Sequence, residues 1–144
     1  MFSKACEYGI RATLYIAVRS RQDERAGLKD ISREIDSPEP FTAKILQQLT
    51  RSGIIDSHKG PSGGFAIDKE KLQKIRLSQV VFAIDGDGIY KTCGLGLKAC
   101  SEKQPCPVHN KFKKIREELK DLLDNTNLED LAIKLKSGTT FLKI

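Results

Sequence analysis

Three of the four cysteines in this chain lie within fourteen residues of one another and are closely followed by a histidine. They form the pattern C-x6-C-x5-C-x2-H, made by Cys93, Cys100, Cys106 and His109. Thiolates and imidazoles bind soft and borderline metal ions, and thiolates are the usual ligands of iron–sulfur clusters. The segment therefore predicts a metal or cluster site.

Burial as small hydrophobic side chains is the alternative interpretation of these thiols. It fits poorly, because residues 91–111 are rich in Lys, contain Gly, Glu and Asn, and have no apolar run. Cys106 and His109 are three residues apart, which would place them on one face of a helical turn. A Cys3His set suits tetrahedral zinc, whereas wide, glycine-rich gaps resemble the loop around an iron–sulfur cluster, so spacing alone leaves both open. Cys6 lies on an apolar first helix and is predicted to be part of the core.

The length, charge and hydropathy of the whole chain restrict the class of protein to which it can belong. It has 144 residues and a formal charge of +6, which makes nucleic acid a plausible partner. No apolar run is long enough to cross a membrane, and the first residues do not resemble a signal peptide, so a cytoplasmic location with reduced thiols is expected. There is no nucleophile motif at either histidine, no phosphate-binding glycine loop and no paired carboxylates, so an enzyme is not expected.

The elements before the cysteine loop predict a DNA-binding module. Apolar residues recur at helical spacing over residues 3–18, 28–35 and 40–52, with a two-proline turn before the third helix. Two short strands are predicted over residues 54–59 and 65–67, around a glycine-rich turn. Helix, helix, turn, helix and hairpin is the order of a winged helix-turn-helix. The predicted fold class is mainly α with a small β-hairpin.

The third helix and the hairpin carry polar residues that suit DNA recognition. Glutamine pairs with adenine edges, threonine touches thymine methyl groups, and lysine reaches guanine or phosphate. A solvated helix face is the alternative for the helix alone, but the hairpin directly after it favours DNA. The predicted DNA-binding residues are Thr42, Lys44, Gln47 and Gln48, pointing outward from the helix, and His58, Lys59 and Ser62 of the hairpin.

A long amphipathic helix is predicted after the cysteine loop, from Pro107 to Asn125. Its apolar stripe consists of Phe112, Ile115, Leu119, Leu122 and Leu123. The chain has little left to cover this stripe, so pairing with a second copy is favoured over packing within its own domain, and two-fold symmetry would suit palindromic double-stranded DNA. The expected division is a winged helix-turn-helix over 1–84, a cluster loop over 85–106, and a dimerisation helix with a C-terminal segment over 107–144.

Several segments resemble the IscR- and NsrR-type winged-helix regulators, also called the Rrf2 family, and the resemblance covers nearly the whole chain. Residues 7–12 (EYGIRA) are similar to the family's N-terminus and residues 28–31 (LKDI) to its L-x-x-I-A helix. Residues 44–49 (KILQQL) and 52–55 (SGII) resemble its recognition helix and exit. The most specific match in this half is KGPSGGF at residues 59–65, which resembles the wing R-G-x-x-G-G-Y/F, with lysine where arginine is usual.

The resemblance implies a homodimeric DNA-binding transcriptional regulator that senses redox state, nitric oxide or iron–sulfur status through a bound cluster. It implies Cys93, Cys100 and Cys106 as ligands. The fourth ligand would be His109 or, from a partner chain, Glu7, and His109 is preferred because it needs no geometry between subunits. A 2Fe-2S cluster is preferred over 4Fe-4S, although the first cysteine gap is one residue longer than the commonest pattern. The alternatives are a winged-helix regulator with a zinc or bare-thiol site, and a non-DNA metal-binding protein.

Overall fold

Eight helices and one antiparallel hairpin make up the fold, in a computed structural model that describes all 144 residues. The first half contains α1 (Lys4–Arg21), α2 (Leu28–Glu34), α3 (Glu39–Arg51), β1 (Asp56–His58) and β2 (Gly64–Ala66). The second half contains α4 (Lys69–Leu72), α5 (Leu77–Asp85), α6 (Gly88–Lys91), α7 (His109–Asp124) and α8 (Leu128–Lys136). The predicted class, mainly α with a small hairpin, is confirmed.

Helix α1 is the central element of the main core. The side chain of Ser3 caps it by accepting a hydrogen bond from the Cys6 amide at 3.0 Å, which satisfies one of the free amides of the first turn. Its buried face, which includes Ile16 and Ala17, packs against α3, α5 and α8. The helix continues to Arg21, three residues beyond the predicted end.

Two backbone turns set the direction of α3. Asp36 adopts a positive φ of 52° between α2 and α3, and Pro40 lies in the first turn of α3, where its missing amide hydrogen leaves no helical bond unmade. Gly53, with φ of 73°, follows the end of the helix in the left-handed conformation that glycine adopts without strain.

The hairpin is attached to the loop between α1 and α2. Asp56 pairs with Ala66 and His58 with Gly64, while Ala26 exchanges two backbone hydrogen bonds with Phe65, at 2.9 and 2.8 Å. A Cβ atom on Gly64 would lie 2.8 Å from the Ala26 carbonyl oxygen, so the close approach requires glycine. The hairpin is therefore held against the body of the module.

A second, smaller core joins this module to α7. Cys6 of α1, Val81 of α5 and Leu123 of α7 are buried together. Helix α8 does not form a separate unit with α7, because its Leu128 and Ala132 belong to the main core. The expected third segment, residues 107–144, is thus divided between two cores.

Three further sequence expectations can be compared with the structure. Helix α7 begins at His109, and Pro107 lies in the turn before it. For residues 139–144 the sequence is compatible with a strand or a loose tail, and the structure shows no strand. None of the helices combines the length and apolar character needed to cross a bilayer.

Candidate functional site

The structure arranges the four predicted metal ligands as two pairs. Cys100 Sγ lies 3.4 Å from His109 Nδ1 at the start of α7. The thiols of Cys93 and Cys106 are close enough to interact by a side-chain hydrogen bond. The two pairs do not form a closed set of three or four donors, and all cysteines of the chain are free thiols.

The cysteine loop rests on one face of α7. The Phe112 ring packs so closely on Gly94 that a Cβ atom there would lie 2.8 Å from ring carbons. Arg116 donates to the Thr92 carbonyl oxygen at 3.2 Å and to Cys100 Sγ at 3.1 Å. Residues 109, 112, 113 and 116 recur at helical spacing and therefore lie on one face of α7, and the loop packs on this face.

An ion pair also connects the loop to this face of α7. Lys113 of α7 pairs with Glu102. The hydrogen bond and charge of Lys113 lower the pKa of the Glu102 carboxyl, and those of Glu102 raise the pKa of the Lys113 amine. Both side chains are substantially exposed, so the pair contributes little to stability by itself.

The chemistry of the donors fits a bound metal or cluster. Hydrogen bonds from the backbone at Leu95 and Leu97 lower the pKa of the Cys93 thiol, which favours the thiolate form that binds metals. His109 is 6% exposed, and its buried Nε2 atom has no hydrogen-bond partner. Cys100 and His109 also line an open cavity of about 340 Å³, which leaves room beside this pair.

Two residues outside the loop have different surroundings. Glu7 is exposed on α1 and pairs with Lys4 at 3.3 Å, and within this chain it joins no cluster of metal-binding groups.

The prediction that Cys6 lies in the core is confirmed, because it is fully buried. Burial, followed by the nearby Asp85 carboxylate, raises the pKa of the Cys6 thiol to about 12. This thiol is therefore protonated at neutral pH.

Six of the seven predicted DNA-binding residues are exposed. They are Lys44, Gln47 and Gln48 on α3, and His58, Lys59 and Ser62 on the hairpin. The prediction that Thr42 points outward is wrong, because it is completely buried. Its hydroxyl lies 2.9 Å from the Pro38 carbonyl oxygen and 3.0 Å from the Ser37 hydroxyl, so it stabilises the turn before α3.

The exposed face of α3 contains one further cation, Arg51, that the sequence prediction missed. Arg51 lies seven residues after Lys44, a spacing of two helical turns that would have identified it. Arg51 and Gln47 line a groove together with Ser57 and Phe65 of the hairpin. Helix and hairpin therefore form one continuous surface.

A second missed cation lies at the tip of the hairpin. Arg25 is exposed in the loop between α1 and α2 and donates a hydrogen bond to the Ser62 carbonyl oxygen at 3.0 Å. Its place beside the hairpin depends on the tertiary fold, so sequence spacing offered no signal for it.

The apolar stripe of α7 is divided between two faces. Leu123 is buried in the second core and Leu119 packs against it. Phe112, Ile115 and Leu122 remain 36%, 55% and 56% exposed. An apolar surface of this kind on a regular helix is a feature of protein interfaces.

Comparison with known proteins agrees with this architecture. A family model described as "Iron-dependent Transcriptional regulator", Rrf2, matches residues 2–134. A protein of Aquifex aeolicus described as a transcriptional regulator of the HTH type is 31% identical over 133 residues, which cover 91% of this chain and 90% of that protein. The regulator IscR of Pectobacterium atrosepticum is 26% identical over 87% of this chain and 74% of its own length.

Solved structures show the same fold. CymR, the global cysteine regulator of B. subtilis, superposes with a TM-score of 0.74 at 22% identity, over 92% of this chain and 96% of CymR. T. potens IscR superposes with a TM-score of 0.73 at 16% identity, over 97% of this chain and 91% of that protein. The family and these relatives are transcriptional regulators, not enzymes, and their fold is the winged helix. The chain belongs to the Rrf2 family of transcriptional regulators.

Proposed function

We propose that this chain is a homodimeric, DNA-binding regulator whose affinity for its DNA site depends on an iron–sulfur cluster bound by the cysteine loop. The observation that carries the proposal is the position of α7. One face of this helix holds the cysteine loop, its C-terminal half packs into the module that carries α3, and its Ile115 and Leu122 side chains remain more than half exposed. A change at the loop can therefore reach both the DNA-binding surface and a dimer contact.

The ligands of the cluster would be Cys93, Cys100, Cys106 and His109. The lowered pKa of Cys93 and the unpartnered Nε2 of His109 support this set. Glu7 of a partner subunit is the alternative fourth ligand, and a 2Fe-2S cluster is preferred over 4Fe-4S. When bound, such a cluster supplies reversible electron transfer and sensitivity to oxygen, nitric oxide or iron supply.

The partner proposed for the exposed stripe is a second copy of this chain. The exposed Ile115 and Leu122 lie one heptad apart, and Phe112 and Leu119 flank them at the a/d spacing of paired helices. Ile115 and Leu122 are more than half exposed, so two copies of α7 could bury apolar surface against each other. Such a pair would relate two DNA-binding modules by two-fold symmetry, which supports a palindromic DNA site.

The DNA-binding surface would consist of α3 and the hairpin. Lys44, Gln47 and Gln48, together with Arg51, would enter the major groove, where glutamine and arginine pair with base edges. The hairpin residues His58, Lys59 and Ser62 would contact the adjacent phosphates or groove. The net charge of +6 supports attraction to this polyanion.

The first experiment is anaerobic purification with visible absorption spectra and measurement of iron, sulfide and zinc per chain. We expect a coloured protein with iron and sulfide, and we expect Cys93→Ser to lose both. Cys6→Ala is the matched control, because it removes a buried thiol outside the loop and should retain iron. A colourless wild-type protein that contains zinc would contradict the cluster and support the zinc alternative.

A further inference from the structure

The anchoring of the cysteine loop depends on a small number of contacts. Side-chain hydrogen bonds from α7 to residues 92–100 come only from His109 and Arg116. Leu95 and Leu97 are each 54% exposed, so the apolar packing of this part of the loop comes from Phe112 on Gly94 and not from these leucines. The few polar contacts, together with this packing contact, therefore decide where the loop lies.

Arg116 makes two of these contacts, and they lie at opposite ends of the segment. One guanidinium nitrogen, Nη1, donates to the carbonyl oxygen of Thr92, immediately before Cys93. The other, Nη2, donates to Sγ of Cys100. A planar guanidinium can satisfy two separated acceptors at once in a fixed geometry, whereas a lysine amine is a single flexible point charge.

We propose that Arg116 is a positioning residue that fixes both ends of the 92–100 segment against α7 and so sets the location of two cysteine ligands. This deepens the function proposed above, but the loop-anchoring part concerns the protein without any bound group. In the loaded protein, the same guanidinium would place a positive charge and an N–H donor beside a ligating sulfur. Hydrogen bonds to ligand sulfurs and nearby positive charge favour the reduced form of a cluster.

Hydrogen exchange of the metal-free protein tests the anchoring directly. The Gly96 amide donates to the Cys93 carbonyl oxygen at 2.9 Å, and the amides of Leu95 and Leu97 flank it in the same segment, so these three amides report the order of the segment. In Arg116→Gln we expect their exchange to be roughly tenfold faster, since removing a hydrogen bond to a charged group costs at least a factor of this size. Amides of α1 serve as an internal reference for global stability.

Two further variants separate anchoring from charge. Lys120→Gln removes a positive charge from the same helix and the same cavity, but Lys120 bonds Asp124 and contacts no sulfur. We expect exchange in this variant to match wild type. Arg116→Lys retains the charge and loses the double contact, so its loop should exchange faster than wild type. Wild-type exchange in Arg116→Gln, or equally fast exchange in Lys120→Gln, would overturn the proposal.

The loaded protein provides the second readout. If the anaerobic wild type contains iron and sulfide, we expect a lower reduction potential in Arg116→Gln and a smaller change in Arg116→Lys. An unchanged potential in Arg116→Gln would remove the proposed influence on the cluster. If the wild type binds no cluster, the proposed function fails, while the exchange comparison still decides whether Arg116 anchors the loop.

Discussion

Thr42 illustrates how a side chain on a recognition helix can stabilise the fold without facing DNA. It lies at the start of α3, but its hydroxyl is buried against the Ser37 hydroxyl and the Pro38 carbonyl oxygen. Thr42→Val keeps the shape and removes these hydrogen bonds. We expect a loss of about 1–3 kcal/mol of unfolding free energy in urea titrations, because the buried Ser37 hydroxyl is left without its partner.

Gln48→Ala is the matched control for Thr42→Val, since Gln48 is exposed on the same helix. Its unfolding free energy should stay within about 0.5 kcal/mol of wild type. Its affinity for a DNA site selected by the wild type should fall by about 1–3 kcal/mol if it reads a base. A Thr42→Val variant with wild-type stability and weakened DNA binding would return Thr42 to the DNA-contacting set.

The buried thiol of Cys6 predicts a specific dependence of stability on pH. Burial and the neighbouring Asp85 carboxylate raise its pKa from 9.0 to about 12. Between these values the unfolded chain loses the proton and the folded chain keeps it, so stability is fully present below pH 9 and falls as the pH rises toward 12. The contribution of one such group is at most about 1.4 kcal/mol per pH unit.

Comparison with Cys6→Ala isolates this contribution from lysines and tyrosines that titrate in the same range. Unfolding free energies of both proteins are measured under reducing, metal-free conditions at pH 8 and pH 10.5. We expect the difference between wild type and variant to shift in favour of the variant at the higher pH. A pH-independent difference would contradict the assigned pKa.

At the scale of elements, α7 presents different surfaces to different neighbours. Leu123 is buried against Cys6 and Val81, whereas Ile115 and Leu122 face solvent. The double variant Ile115→Lys and Leu122→Lys should therefore convert a dimer to a monomer without unfolding the chain, because charges would be placed in the paired interface and not in the core. Sedimentation equilibrium measures the mass, and circular dichroism measures the helix content.

Asp121→Lys is the control for this double variant, because Asp121 is exposed on α7 away from the stripe. It should remain dimeric. If the wild type is already a monomer at micromolar concentration, or if the double variant keeps the dimer mass, the stripe is not the dimer contact.

The loop also depends on one glycine. A Cβ atom on Gly94 would lie 2.8 Å from the Phe112 ring, so Gly94→Ala must displace the loop or the ring, a form of overpacking that costs about 1–3 kcal/mol. Because Gly94 follows Cys93 directly, we expect less iron per chain after anaerobic purification. Gly88→Ala is the control, since its nearest neighbour would be Thr92 Cγ2 at 4.0 Å. Equal iron content in both variants would contradict the prediction.

Periodicity and turn residues were sufficient to predict α1, α2, α3 and the hairpin, because local sequence determines these elements. The same periodicity could not distinguish Thr42 from its exposed neighbours, since a hydroxyl is compatible with either side of a helix. It grouped Leu123 with Ile115 and Leu122, although tertiary packing divides them. The contact between Arg116 and Cys100 could not be predicted either, because the two residues are 16 positions apart and only the path of the loop brings them together.

For the molecule as a whole, the second core is the physical link between the loop and the DNA-binding surface. Helix α7 holds the loop at its N-terminal end and contributes Leu123 to the cluster with Cys6 and Val81. The α1 and α5 helices that complete this cluster also pack against α3. In the proposed dimer, a shift of α7 would therefore move the recognition surfaces of the two subunits relative to each other, which is the coupling that the proposed sensing function requires.

The dependence of DNA binding on salt tests the surface and the dimer in one series. Each phosphate contact steepens the slope of log K against log salt by about 0.9, because a counterion is released. If Lys59 contacts one phosphate in each subunit, Lys59→Gln should flatten the slope of the dimer by about 1.8. Lys114→Gln, an equal charge loss on α7, should leave the slope unchanged.

The same substitution in the monomeric Ile115→Lys and Leu122→Lys background should flatten the slope by only about 0.9, since a single wing then contacts DNA. Fluorescence anisotropy with a labelled duplex, measured over a range of potassium chloride concentrations, gives these slopes. A twofold ratio between the two backgrounds would mean that two copies of Lys59 act together on one DNA site. An equal change in both backgrounds would mean that only one of the two Lys59 side chains in the dimer contacts a phosphate.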